Sequence, residues 1–141
     1  MKLFFDTNIL IDVFSNRDKE SEFSIYCYRL VEHNLIKGYI NAKQLSDIYY
    51  VASKMLDKKI ALEICSIICE LFVVVPYDKF NLLNGFKSDF TDIEDASIDD
   101  SAKLYCCDGL ITRNSKHFTK AKSVIYSPKE FHTLYEAMKI S

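Results

Sequence analysis

The sequence predicts an α/β fold, a three-layer α/β/α sandwich around a central, mostly parallel sheet of about five strands. Three observations carry that prediction. Short apolar or β-branched runs (KLFF, GYI, VVV, GLIT and SVIY) alternate with longer stretches of helical periodicity, the order that lays helices across parallel strands. Only three Gly and two Pro interrupt the chain, too little punctuation for an all-β sandwich or for long loops. With 141 residues, 49% of them apolar and ten Phe and nine Tyr among them, one domain over residues 1–141 can bury a full core.

Each element has a local reason. Lys2 to Phe5 (KLFF) is an apolar run suited to a buried strand and closed by Asp6. A helix follows through Asn8 to Phe14, and a second from about Lys19 to Asn34, where FSIYCYRLV repeats aromatics at helical spacing. Gly38 to Ile40 form the second strand, and Asn41 is the N-cap of a helix reaching about Met55. Asp57 caps the next helix, which runs out into β-branched Val73 to Val75, the third strand, stopped by Pro76. Asp78 begins a short helix toward Lys87. Thr91 and Glu94 match a capping box, T-x-x-E, opening a helix to about Cys107. Gly109 to Thr112 and Ser123 to Tyr126 supply the fourth and fifth strands. Ser127, Pro128 and Glu130 fit the N-cap, N1 and N3 positions of a last helix.

Charge and cysteine usage narrow the function classes. A formal charge of -2 argues against a protein that coats nucleic acid by bulk charge, while leaving room for a nucleic-acid enzyme with a local basic rim. Cys27, Cys65, Cys69, Cys106 and Cys107 show neither C-x-x-C nor Cys/His spacing, so they read as reduced core thiols rather than a zinc site. The first residues lack a secretory pattern, and IALEICSIICELFVVV is too short and, with Glu63 and Glu70, too charged to span a bilayer. The expected location is the cytoplasm, with no membrane contact.

The stretch TDIEDASIDD, Thr91 to Asp100, gathers five carboxylates without one Lys or Arg. On a helix, Asp92, Asp95 and Asp99 share one stripe, beside an apolar face of Ile98, Ala102 and Tyr105. Acids in a first turn gain from the helix dipole, about 0.3–1 kcal/mol each. That does not account for Asp95 at the border of a buried face, where an unpaired carboxylate costs several kcal/mol unless a positive charge sits beside it. A divalent cation is one source of that charge, and a solvated helix face is the competing reading. Ligands of open parallel sheets bind beyond the carboxyl ends of strands. Asp6 and Asn114 lie at two such ends, though Asp6 has an alternative role as a helix N-cap. Asp12 reads as a surface acid.

FFDTNILID, QLSDIYYV, DFTDIEDA, LITRNSKHF and YSPKEF together resemble a PIN-domain nuclease, of the group that includes the VapC-type toxins of bacterial toxin–antitoxin pairs. The resemblance runs from Lys2 to Phe131. It implies a metal-dependent endoribonuclease whose catalytic and metal-binding positions are Asp6, Asp47, Asp95 and Asn114, with Asp92 and Asp99 as outer acids and Asn8 as a structural residue of the first motif. It also implies an antitoxin partner and a homodimer. Two positions depart from the pattern: Asp47 stands where Glu is usual, and Asn114 where Asp is frequent.

An all-oxygen ligand set of this kind selects Mg²⁺ or Mn²⁺ over zinc. An acidic cage repels RNA, so a basic rim is expected, and Arg113, Lys116, Lys120 and Lys122 follow the fourth strand beside Asn114. Two rivals stand against the nuclease. An Asp-based phosphotransferase would want a second Asp two residues after Asp6, where Asn8 stands. A non-catalytic PIN module binding RNA or a partner protein is favoured by the two departures.

Overall fold

The computed structural model describes residues 1–140. The chain runs β1 (Lys2–Phe5), α1 (Thr7–Ser15), α2 (Ser21–Glu32), β2 (Lys37–Asn41), α3 (Ala42–Met55), α4 (Lys58–Leu71), β3 (Val73–Val75), α5 (Lys79–Phe86) and α6 (Ile93–Leu104). It ends with β4 (Gly109–Ile111), a 3₁₀ turn (Ser115–Phe118), β5 (Ile125–Tyr126) and α7 (Pro128–Ile140). The five strands form one sheet in the order β3-β2-β1-β4-β5. Every pairing in it is parallel.

Strand alternation sorts the core into two halves, because successive side chains point to opposite faces. Leu3, Phe5, Ile40 and Ile111 point to one face, where Ile9, Leu10, Cys27, Leu30, Val31, Ile48, Ile68 and Phe131 bring in α1 to α4 and α7. Phe4, Tyr39, Val75 and Leu110 point to the other, covered by Ile98 and Ala102 of α6 and by Phe118. The layers are helix, sheet, helix. Gly38 is required for close approach: a Cβ there would lie 2.5 Å from Phe72 Cε2 and 2.9 Å from Val31 Cγ2.

Most element edges shift by one or two residues from expectation, and four of the shifts have a visible cause. Helix α2 begins at Ser21 rather than Lys19, because Asp18 and Ser21 exchange backbone and side-chain bonds in the preceding turn. Asp92, not Thr91, is the N-cap of α6: its Oδ1 accepts from the amides of Glu94 (2.8 Å) and Asp95 (3.2 Å), and the Thr91–Glu94 box is replaced. Strand β5 starts at Ile125, since the amides of Lys122 and Ser123 are given to Asp99 instead. Helix α6 ends at Leu104 in a left-handed turn at Cys106 (φ 57°). There the amide of Cys107 donates to Ala102 O and that of Cys106 to Lys103 O, the Schellman pattern with Cys where Gly is usual. All five cysteines are free, but only Cys27 is fully buried, and Cys69 and Cys106 lie at the surface. No helix among the described residues is long and apolar enough to cross a membrane.

Candidate active site

The strand order reverses between β1 and β4, since the chain builds β2 and β3 on one side of β1 and returns to place β4 on the other. At such a switch point the loops leaving the two strands diverge and open a crevice. Asp6 leaves β1 there and Thr112 leaves β4.

Asp6 is buried and heavily anchored. Its backbone amide donates to Ile111 O (2.9 Å), continuing the β1–β4 ladder. Its Oδ1 accepts from the Thr7 amide (2.7 Å), and its Oδ2 from Thr112 Oγ1 (2.6 Å) and Asn8 Nδ2 (3.3 Å). Asp6 is thus also the N-cap of α1, so the two readings of that residue are compatible. Burial pushes its carboxyl above the ordinary range, against the lowering effect of the Thr112 and Thr7 hydrogen bonds and of His117. Asn8 reaches across to accept from the Arg113 amide (3.5 Å), tying the loop after β1 to the loop after β4.

Asp95 stands opposite, on the first turn of α6. Its carboxyl is pushed up to about 7, first by burial and then by the charges of Asp6, Asp92 and Glu94. The structure therefore brings Asp6, Asp92, Glu94 and Asp95 within electrostatic reach of one another. His117 Nδ1 lies 3.9 Å from Asp95 Oδ2.

Asp47 is held differently. Lys43, one turn earlier on α3, puts its Nζ 2.7 and 2.8 Å from the two Asp47 oxygens and 3.3 Å from Glu94 Oε1. The ammonium is held above its usual range, chiefly by the Asp47 bond. Among the described residues no three His, Cys, Asp or Glu side chains stand together as a ready-made metal cage. Asp99 points away from this group. It is buried, and both its oxygens accept backbone amides of the loop before β5, from Lys122 (2.9 Å) and Ser123 (3.0 Å). The helical stripe of Asp92, Asp95 and Asp99 therefore serves three ends: a cap, a cavity-lining acid and a loop clamp. Asn114 is exposed ahead of the 3₁₀ turn, its amide donating to Thr112 Oγ1 (3.0 Å).

The basic rim divides as well. Lys116, His117 and Lys120 line a cavity of about 420 Å³ together with Asp92 and Asp95. A neighbouring cavity of about 380 Å³ shares Asp89, Phe90 and Lys120 with it and adds Lys87 and Lys122. Arg113 is not part of this rim. Its Nη1 lies 2.9 Å from Asp12 Oδ1 and its Nη2 lies 2.8 Å from Asp18 and 3.4 Å from Glu20. Asp12, expected at the surface, is fully buried, and also binds Arg17 Nε (2.7 Å) and Ser24 Oγ (2.6 Å). A carboxylate with no exposure needs that many donors, and Arg113 is recruited by it.

Sequence reasoning missed Thr112 and Lys43. Thr112 lies 106 residues from Asp6, and no periodicity links them. Lys43 carried a usable signal, its i,i+4 spacing to Asp47.

The donors present suit a hard divalent ion. They are carboxylate oxygens, those of Asp6 and Asp95 raised in pKa chiefly by burial, and Asp95 lines the cavity beside Asp92.

The chain is 29% identical over 136 residues to Ribonuclease VapC1 of Aquifex aeolicus, covering 92% of each protein. Solved structures of similar fold include VapBC2 of Rickettsia felis bound to a promoter DNA fragment (TM-score 0.67, 15% identity, 90% of this chain and 98% of that one). A toxin-antitoxin complex from Klebsiella pneumoniae gives a TM-score of 0.65 at 23% identity, over 89% of this chain and 97% of that one. Residues 2–116 match the PIN domain family, and the chain belongs to that family.

Proposed function

We propose that this protein is a divalent-metal-dependent endoribonuclease that hydrolyses RNA phosphodiester bonds in the cytoplasm, as the toxin of a toxin–antitoxin pair. The observation that carries the reading is the pair Asp6 and Asp95: two carboxylates from different elements, both with raised pKa, facing one crevice at the switch point. Such a pair is costly in an apo fold and useful around a cation. The 29% identical Aquifex aeolicus relative, a ribonuclease by name, supports the activity, and the toxin-antitoxin complexes among the structural neighbours support the biological role.

Asp6 and Asp95 would hold Mg²⁺ or Mn²⁺, with Asp47 and Asn114 as further oxygen ligands and Asp92 at the margin. When bound there, such an ion would supply Lewis acidity toward a phosphoryl oxygen and would lower the pKa of water. Thr112 and the Thr7 amide fix the Asp6 carboxylate, so its orientation needs no reorganisation. Asp95, on the cavity wall, would orient the attacking water and take its proton. Lys116 and Lys120 bind the backbone phosphates that the acids would otherwise repel, and Lys122 extends that contact into the second cavity. Exposed apolar side chains, Ile60, Leu62 and Ile67 on α4 and Phe80, Leu83 and Phe86 on α5, support burial against an antitoxin or a second copy of the chain.

A non-catalytic RNA-binding module is the second reading, favoured by the pairing of Asp47 with Lys43 and by the uncharged Asn114. Incubation of single-stranded RNA with the protein in chelator, Mg²⁺ or Mn²⁺ separates the two. The nuclease cuts only with metal; the module retains RNA intact in all three. The toxin role is tested by expression in a bacterial host: wild type arrests growth and Asp6→Asn does not.

A further inference from the structure

Lys43 has no explanation in the physics of its own helix. Asn41 is the N-cap of α3, so Lys43 sits in the first turn, where the helix dipole disfavours a cation. A base four residues ahead of an acid is also the poorer orientation of an i,i+4 pair. What does explain it is the acids it touches: both oxygens of Asp47 and Oε1 of Glu94, on two different helices. Glu94 in turn is one of the charges felt by Asp95. The ammonium thus links Asp47 to the edge of the Asp6–Asp95 group, at a position where a divalent ion binding Asp47 would need the same oxygens.

We propose that Lys43 is a tethered counterion of the candidate metal site, which occupies Asp47 and must leave it before that carboxylate ligates a divalent ion. The inference rests on the metal-dependent reading above. The pair is about 39% and 38% exposed, so the competition is modest: an exposed ion pair is worth a factor of about two to five. Lys43 lowers metal affinity by that factor and, in exchange, offsets part of the charge of Asp47 and Glu94 in the metal-free protein.

Calorimetric Mn²⁺ titration of wild type, Lys43→Met, Lys43→Arg, Asp47→Asn and the double variant Lys43→Met/Asp47→Asn tests it without recourse to cleavage. Lys43→Met should tighten Mn²⁺ about two- to fivefold, Lys43→Arg should not, and the tightening should shrink markedly when Asp47 is already Asn. Equal affinity in wild type and Lys43→Met overturns the proposal and leaves the metal site standing. So does tightening that persists in full in the Asp47→Asn background, because it then reflects charge removal alone. Failure of the wild type and of every variant to bind Mn²⁺ overturns the metal reading, and this inference with it.

Discussion

Asp95 penalises the metal-free fold in a pH-dependent way. Its folded pKa of about 7 lies above its unfolded value of 3.8, so the native state holds the proton more tightly. Stability is therefore greatest below the unfolded value and is lost as the pH rises from about 4 to about 7. In chelator at pH 8, Asp95→Asn should be more stable than wild type by ~1–2 kcal/mol, a figure discounted from the full shift because the cavity is open to water. Thermal melts at pH 8 and pH 5 check this: the gap should narrow at the lower pH. Arg113 belongs to a different account. Because it serves buried Asp12, Arg113→Ala should cost stability approaching the ~3–5 kcal/mol of a broken buried pair, reduced because Arg17 stays on Asp12. Urea titration measures it. In the sequence Arg113 looked like a phosphate ligand because its acidic partners lie 93 to 101 residues away. Asp6 was legible for the opposite reason: a strand that ends in an acid declares its position locally.

Helix ends carry the next scale. T-D-I-E offers two cap residues in succession, and the pattern does not choose between them. Asp92 takes the cap, its Oδ1 accepting from two amides at once, and Glu94 is left to meet Lys43. Asp99 was assigned to the same acidic stripe, yet its burial depends on the loop before β5 packing over it, which helical spacing does not encode. The five strands were legible as short apolar or β-branched runs, four of them bounded by an acid, Gly or Pro, while the start of β5 was misplaced by two residues. Two substitutions test the element-level account. Cys106→Gly relieves a left-handed residue at the end of α6 and should raise stability by up to ~1 kcal/mol, the left-handed cost less the extra entropy of Gly in the unfolded chain. Gly38→Ala forces Phe72 and Val31 away from β2 and should cost ~1–3 kcal/mol. Both are read from the midpoint of denaturant unfolding.

At the scale of the molecule, a nearly neutral chain sets lysines and acids side by side: Lys116 and Lys120 share one cavity with Asp92 and Asp95, and Lys87 and Lys122 line the next beside Asp99 and Asp100. The proposed RNA path follows those lysines, so Lys116→Ala and Lys120→Ala should each weaken RNA binding and flatten its salt dependence by roughly one released counterion, fewer for single strands. Electrophoretic titration across a salt series gives the slopes. The sheet topology was legible as a parallel α/β sandwich, and it places the crevice between β1 and β4; the i,i+4 pairing of Lys43 with Asp47 was readable and missed, whereas its contact with Glu94 on another helix has no local signal. The most direct test of the central claim is the cleavage rate of one single-stranded RNA, in Mn²⁺ and in chelator, by wild type, Asp6→Asn and Asp95→Asn of verified fold. The account predicts metal-dependent cleavage by wild type and loss of ~10²-fold or more in each variant. Cleavage by either variant at the wild-type rate would contradict it.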